Sequence, residues 1–581
     1  MQTEWNLKVF YQGTEDPSYE EDYKACRMAC EQLKELTDSL NPAEALTLVQ
    51  VEQLIRGEES IRRLMSKALT YLELRQAVNS SDTEAMAQSS RWVRLNSDYT
   101  DTVVRAEKLL GSVENAEEMA KESPVIAEHL FFLGELHRKA EHTLSEEMEA
   151  MVAAMDMTGA SAWSTLQGYL TSGLKVDYAG EELTLSEIRN LAYDPDPAVR
   201  KAAYEAELAA YDKISGPVAF SLNHIKNQAT MLAAKRGYES PLAESLSDSR
   251  MSRKTLDAML DAIREYLPTL RSYFRKKAAK LGYEGGLPFY ELFAPIGGEG
   301  RTYSLEECRE YLKDCFGSFT PDMAEMMDRA FAEEWIDFYP HEGKSGGAFC
   351  ADVPGQKQSR ILTNYDGSFS SIDVLAHELG HAYHSRQLDH MSPLNQDYPM
   401  PVAETASTFN EVFLGHYALE QAAEGEKTAL LESSLRVYTQ CTVDIYCRYL
   451  FEKAVFEQAQ EKFLMADDLK ELMLDCQRQS YGDGLDPNFM HPFMWICKPH
   501  YYMSGTSFYN YPYAFGTLFA LGLYAKFKKE GPAFVEDYKK MLTATATSTI
   551  EEDGALMGID LTDKEFWRSS LQLIAEDIEA F

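Results

Sequence analysis

Residues 368–386 read SFSSIDVLAHELGHAYHSR. Serines open the stretch and supply a cap, and the residues after them favour helix. On one helix His377 and His381, four apart, face the same side, and Glu378 lies one step round from His377. This is the H-E-x-x-H spacing. Two neutral imidazoles hold a zinc ion and leave positions for a third protein ligand and for water. A carboxylate placed like Glu378 can take a proton from that water, whose pKa falls toward ~7 on the metal, and later give it to a departing amine.

The third ligand must come from outside this helix. His384 lies seven residues beyond His377, roughly 10 Å along a straight helix axis, too far to share one ion with His377 and His381. The glycine that lets another H-E-x-x-H class turn back to a third histidine is absent. Glu404 is the better candidate. Residues 402–414, VAETASTFNEVFL, read as a second helix after Pro399 and Pro401, and the 22 residues between His381 and Glu404 allow an antiparallel return. Glu404, Thr408 and Glu411 share one face of it. Asp373, four before His377, is expected to orient that imidazole by accepting its other N–H, and Glu411 is expected to do the same for His381. The alternative for Asp373 is a first-turn carboxylate that only caps the helix.

Before the motif stand two strand-like runs, GGAFCADV (346–353) and SRILTN (359–364), joined by PGQKQ with its Pro-Gly turn signal. An exposed edge here could pair with the main chain of an extended peptide, and Gly346, Gly347 and Ala348 would let that backbone come close. The competing reading is an ordinary hairpin that supports the helix.

Further out the texture is helical. Segments 17–78, 101–157 and 186–236 carry apolar residues at three- and four-residue steps. Short β-like pieces interrupt it at 160–185, and the Asp-Pro-Asp-Pro turn at 194–197 starts a new helical run. The main boundary is set near there, with an N-terminal helical lobe over 1–190 and a catalytic domain over 191–581.

The net charge is −37. That field repels phosphate backbones and anionic lipid surfaces, so neither nucleic acid nor a membrane is expected as a partner. The nine cysteines are scattered and suggest free thiols in a reducing compartment. The start MQTEWNLKVFYQG lacks a secretory pattern, and the longest apolar run, 515–524, is too short to span a bilayer. A soluble cytoplasmic protein is expected.

HELGHAYHS followed by ETASTFNE resembles the oligoendopeptidase F branch of the M3 metallopeptidases, relatives of thimet oligopeptidase. So do DPDPAVRKAAYEAELAAY (194–211), LNHIKNQATMLAAKRGYES (222–240), ILTNYDGSFSSIDVLAHELGH and the tyrosine-rich segment near 500–516. The resemblance implies a mainly α, two-lobed helical fold with a deep substrate channel and a small hairpin beside the H-E-x-x-H helix. It implies one zinc ion on His377, His381 and Glu404, Glu378 as general base, and cleavage of internal bonds in short peptides. It also implies that a histidine and a following tyrosine cluster bind substrate and stabilise the oxyanion. His500 and Tyr513 are the favoured matches for that role, then Tyr511 and Tyr509. Aromatic core packing is the competing reading of the cluster.

Two rival functions remain open at this point. An exopeptidase (a carboxypeptidase or peptidyl-dipeptidase) on the same scaffold would need a fixed cation for the substrate's terminal carboxylate, and none stands out in the sequence. A peptide-binding protein that has lost catalysis would be expected to lack part of the set His377, Glu378, His381 and Glu404, and all four are present.

Overall fold

The computed structural model describes residues 2–297 and 301–581. Three long helices come first: Pro17–Ser39, Leu48–Val78 and Thr83–Gly111. Each starts where the sequence supplies a cap. Asp16 accepts from the Ser18 amide ahead of Pro17, Thr47 and Gln50 form a capping box, and Asp82 accepts from the Ala85 amide. Their apolar stripes, with Cys30 and Leu33 on the first, Leu54 and Leu72 on the second and Trp92 on the third, close into one core. A second and larger core draws residues from Ala160 to Phe581.

A three-stranded sheet lies between these cores. Phe349–Val353 and Gln358–Leu362 form the expected hairpin, antiparallel, with Phe349 opposite Leu362. Ile336–Asp337 pairs parallel on the far side, so Gln358–Leu362 is central and Phe349–Val353 is an edge strand. Its turn uses left-handed backbone at Gly355 (φ 71°) and Lys357 (φ 51°). The pleat sorts the side chains. Phe349, Ala351 and Val353 pack into the N-terminal core, while Cys350 and Ile361 pack into the larger one. The strand is shorter than the sequence suggests: Gly346–Ala348 lead into it without strand pairing.

The region 160–185 is also more helical than expected. Ala160–Ser172 is a helix, and only Lys175–Tyr178 with Glu181–Thr184 forms a hairpin. The fold is thus mainly α with small sheets. Among the described residues no helix is long and apolar enough to cross a membrane, and all nine cysteines are free.

Candidate functional site

The motif occupies the helix Phe369–Leu388, capped by Ser368, whose hydroxyl accepts from the Ser371 amide. It packs against the return helix Thr405–Gln421. That return is not one helix from 402, as the sequence suggests. A single turn, Met400–Ala403, ends at Glu404 (φ −95°, ψ 8°), and the longer helix starts at Thr405. Glu404 therefore sits at a junction between helices, where its side chain swings across to the motif.

His377 Nε2, His381 Nε2 and Glu404 Oε2 lie 3.2 Å from one another. These are the three donor atoms expected, drawn into an equilateral triangle, and among the described residues they are the one grouping of this kind. Ser407 Oγ donates to the same Glu404 oxygen at 2.8 Å and fixes its direction. Glu378, 6% exposed, stands in the same cavity as His377.

The support behind the histidines differs from the expectation. Glu411 accepts from His377 Nδ1 at 2.5 Å, so it orients His377 and not His381. Asp373 has no hydrogen bond to His377, because that N–H is already taken. Burial pushes Asp373 well above the usual carboxylate range, helped by the neighbouring charge of Glu411. Burial opposes the charged form of His377, yet Glu404 and Glu411 outweigh it and push its pKa up to about 10. The same two carboxylates favour positive charge at this point, whether a proton or a metal cation. Burial also raises Glu404, but the hydrogen bonds of both histidines hold it well below its ordinary value. Glu378 is raised by burial against the opposing pull of His377 and His381.

His384 is no ligand. It is fully buried, with Nε2 2.8 Å from Thr545 Oγ1, and its ring stacks on Tyr398. Burial pushes its pKa down to about 3, so it is a neutral packing residue.

Gly380 has a role the sequence reading missed. A Cβ there would lie 2.6 Å from both Ala406 O and Ser407 Cα. Only glycine lets the motif helix and the return helix come this close, and that approach brings Glu404 within reach. Asn410 ties the same pair by donating to Ala376 O at 2.9 Å. The glycine within H-E-L-G-H was visible in the sequence, but its neighbour was not.

One cavity of about 530 Å³ is lined by Gly347, Ala348, Asp373, His377, Glu378 and Glu411. Gly347 adopts φ 78° and carries open space where a side chain would stand. Its carbonyl accepts from Asn364 at 2.8 Å. Gly346 is likewise open, though it does not line the cavity.

His500, Tyr509 and Tyr513 form a cluster, with ring centroids 4.7 Å apart for His500–Tyr509 and 5.8 Å for Tyr509–Tyr513. Tyr513 lies in the first turn of the helix Tyr511–Glu530, three residues before Gly516, which packs on the Glu404 side chain. This places the cluster beside the metal-type triangle. Tyr511 does not join it. It is 1% exposed, points to the opposite side of the helix, and its hydroxyl sits 2.9 Å from Ser249 Oγ. The substrate-side expectation for Tyr511 is therefore corrected to a buried brace.

His500 also differs in detail. Arg448 donates to Asn510 Oδ1 at 3.2 Å, which fixes the amide, and His500 Nδ1 donates to the same oxygen at 3.0 Å. Burial lowers the His500 pKa, so the ring is neutral and its Nε2 is an acceptor. His500 spends its one N–H on Asn510, which leaves the tyrosine hydroxyls as the other donors of this cluster.

The model of peptidase family M3 matches residues 190–573, and that of Oligopeptidase F matches residues 112–175. The chain belongs to peptidase family M3. Oligopeptidase PepF of Bacillus subtilis is 23% identical over 597 aligned positions, covering 99% of this chain and 86% of that protein. The chromosomal oligoendopeptidase F of Lactococcus lactis subsp. cremoris is 26% identical, covering 68% of this chain and 65% of its own length. A solved structure from Chlamydophila abortus superposes with a TM-score of 0.85 at 20% identity, covering 100% of this chain and 97% of that one. Oligoendopeptidase-F from Enterococcus faecium gives 0.70 at 19%, covering 97% and 98%. The fold of these solved structures thus runs the whole length of the chain, N-terminal helices included.

Proposed function

We propose that this M3 peptidase is a zinc-dependent endopeptidase that hydrolyses internal bonds of short peptides. The observation that carries the reading is the 3.2 Å triangle of His377, His381 and Glu404 donor atoms, with Glu378 lining the same cavity as His377. Two imidazole nitrogens and one carboxylate oxygen suit a catalytic zinc site. Ligand atoms about 2.0 Å from one tetrahedral ion are about 3.3 Å apart, so the triangle fits. Bound zinc would supply a Lewis acid for the scissile carbonyl and would acidify a water molecule.

The protein groups do the rest. Glu378 takes a proton from the attacking water and returns it to the nitrogen of the departing amine. Burial raises its pKa above the ordinary carboxylate value, which favours that uptake of the proton. Glu411 and Ser407 hold His377 and Glu404 in place. The unpaired edge of Phe349–Val353, with Gly346, Gly347 and Ala348 ahead of it, pairs with the extended peptide through main-chain hydrogen bonds. Tyr513 and Tyr509 donate to the carbonyl oxygen as charge develops on it. His500 Nε2 accepts an N–H from the substrate. The free cysteines suit a reducing, cytoplasmic setting.

Glu378→Gln tests the assignment. It should lower turnover by about 10²–10⁴-fold and leave zinc content unchanged. Full turnover in that variant would overturn Glu378 as the base.

A further inference from the structure

Arg448, which shares Asn510 with His500, also lines a separate cavity of about 260 Å³. Arg189, Arg200, Arg436 and Lys498 line it too, against two carboxylates, Glu207 and Asp444. In a chain of net charge −37 this is a local inversion.

Three of the five cations have carboxylate partners. Arg200 donates to Glu291 at 2.5 and 3.0 Å, and Arg448 holds Asp444 at 2.5 Å. Arg189 forms a longer ion pair with Glu207, at 3.6 Å. Lys498 and Arg436, both partly buried, form no ion pair among the described residues. His491 adds a ring that is 1% exposed, whose Nε2 has no hydrogen-bond partner and lies 3.7 Å from Glu207. Burial lowers the Lys498 pKa, and neighbouring Arg448 adds to that. Two partly buried cations without carboxylate partners are costly unless an anion joins them.

The cavity abuts the reactive cluster at two points. Asn510 is shared by Arg448 and His500. The other is the π-helical turn Gln440–Asp444, whose Gln440 and Asp444 line the cavity. Cys441 in that turn, half-buried, stands within electrostatic reach of Glu411 on the metal side and of Arg448 on the cavity side. Such turns are frequent at functional sites.

We propose that this cavity is a subsite for a carboxylate of the peptide, bound by Lys498 and Arg436, with Arg448, Arg189 and His491 around them. The carboxylate is either the free C-terminus or an Asp or Glu side chain. The proposal rests on the peptidase reading of the metal site.

The test uses the intact zinc-loaded chain and four matched quenched peptides: free acid, amide, amide with one Glu, and amide with Gln in its place. Turnover is measured on the wild type, Lys498→Met and Arg436→Met, and binding of the same peptides to Glu378→Gln is measured by calorimetry. The acid or the Glu peptide should show a KM and Kd about tenfold lower than its neutral partner. That ratio should fall below about threefold in Lys498→Met and Arg436→Met, whose melting temperatures report their folding. A gain confined to the acid assigns the C-terminus, and one confined to Glu assigns the side chain. Equal KM and Kd for charged and neutral peptides in the unmutated cavity overturns the proposal. If no peptide is cut, the endopeptidase reading fails, while the calorimetric ratio still decides the subsite.

Discussion

Replacing Gly380 with alanine should cripple the metal site through packing alone. A mid-helix Gly→Ala change ordinarily stabilises by about 0.5–1 kcal/mol. Here the new Cβ would meet Ala406 O and Ser407 Cα at 2.6 Å, both backbone atoms with no rotamer to change. Ordinary contact needs about 3.5 Å, so the two helices must part by roughly 1 Å. Overpacking of this kind costs about 1–3 kcal/mol, and the rigid neighbours put this case near the upper end. Glu404 precedes Ala406 by two residues, so the 3.2 Å triangle opens with the helices. Metal–ligand distances tolerate only about 0.2 Å. Zinc affinity, read by competition with a chromophoric chelator, should fall by about a hundredfold, and the melting temperature should drop. Gly415→Ala is the control. It lies in the same return helix, and its Cβ would meet only Ser434 Oγ at 3.5 Å, so it should be neutral or stabilising. If Gly380→Ala binds zinc within about threefold of the wild type and melts no lower, close helix approach is not what builds the site.

Glu411→Gln should weaken zinc binding by about 10–100-fold in the same competition assay, because His377 loses its anionic partner. Tyr513→Phe should lower kcat by about a hundredfold with little change in KM, as a donor used only while charge develops would require. Tyr511→Phe should leave both kinetic constants alone and cost about 1 kcal/mol of stability in urea unfolding. Asp577→Asn tests a buried acid. Burial, with Glu576 adding, raises Asp577 to about 7. Its ordinary value is 3.8, so between those values the unfolded chain loses a proton that the folded chain keeps. Asp577 therefore destabilises increasingly as pH rises to 7 and not at all well below 3.8. The asparagine variant should gain roughly 4 kcal/mol at pH 8 and nothing at pH 3. A gain equal at both would refute the titration account.

The parts of the site set by local periodicity were legible in the sequence. The four-residue spacing places His377 and His381 on one helical face whatever surrounds them, and the length of the return allowed Glu404 to reach them. The Pro-Gly turn marked the hairpin. What depends on how helices pack was not legible. Glu411 serves His377 and not His381 because the return helix crosses the motif at Gly380, a contact that no spacing rule supplies. Tyr511 and Tyr513 differ because residues two apart on a helix face nearly opposite ways. Pro512 marked a helix start there, and with it the split between a braced and a cleft-side tyrosine could have been read. The carboxylate subsite draws on residues 189, 436, 448 and 498, scattered too widely in the chain for any motif to collect them.

On the reading proposed, a zinc ion on His377, His381 and Glu404 supports internal cleavage of peptides. Zinc titration of chelator-treated protein, with a quenched peptide blocked at both ends, tests it most directly. Cleavage should be lost on chelation and return in proportion to zinc, with a break at about one equivalent, and mass spectrometry should place the cut at an internal bond. Cleavage that survives chelation, or that requires an unblocked terminus, would contradict the account.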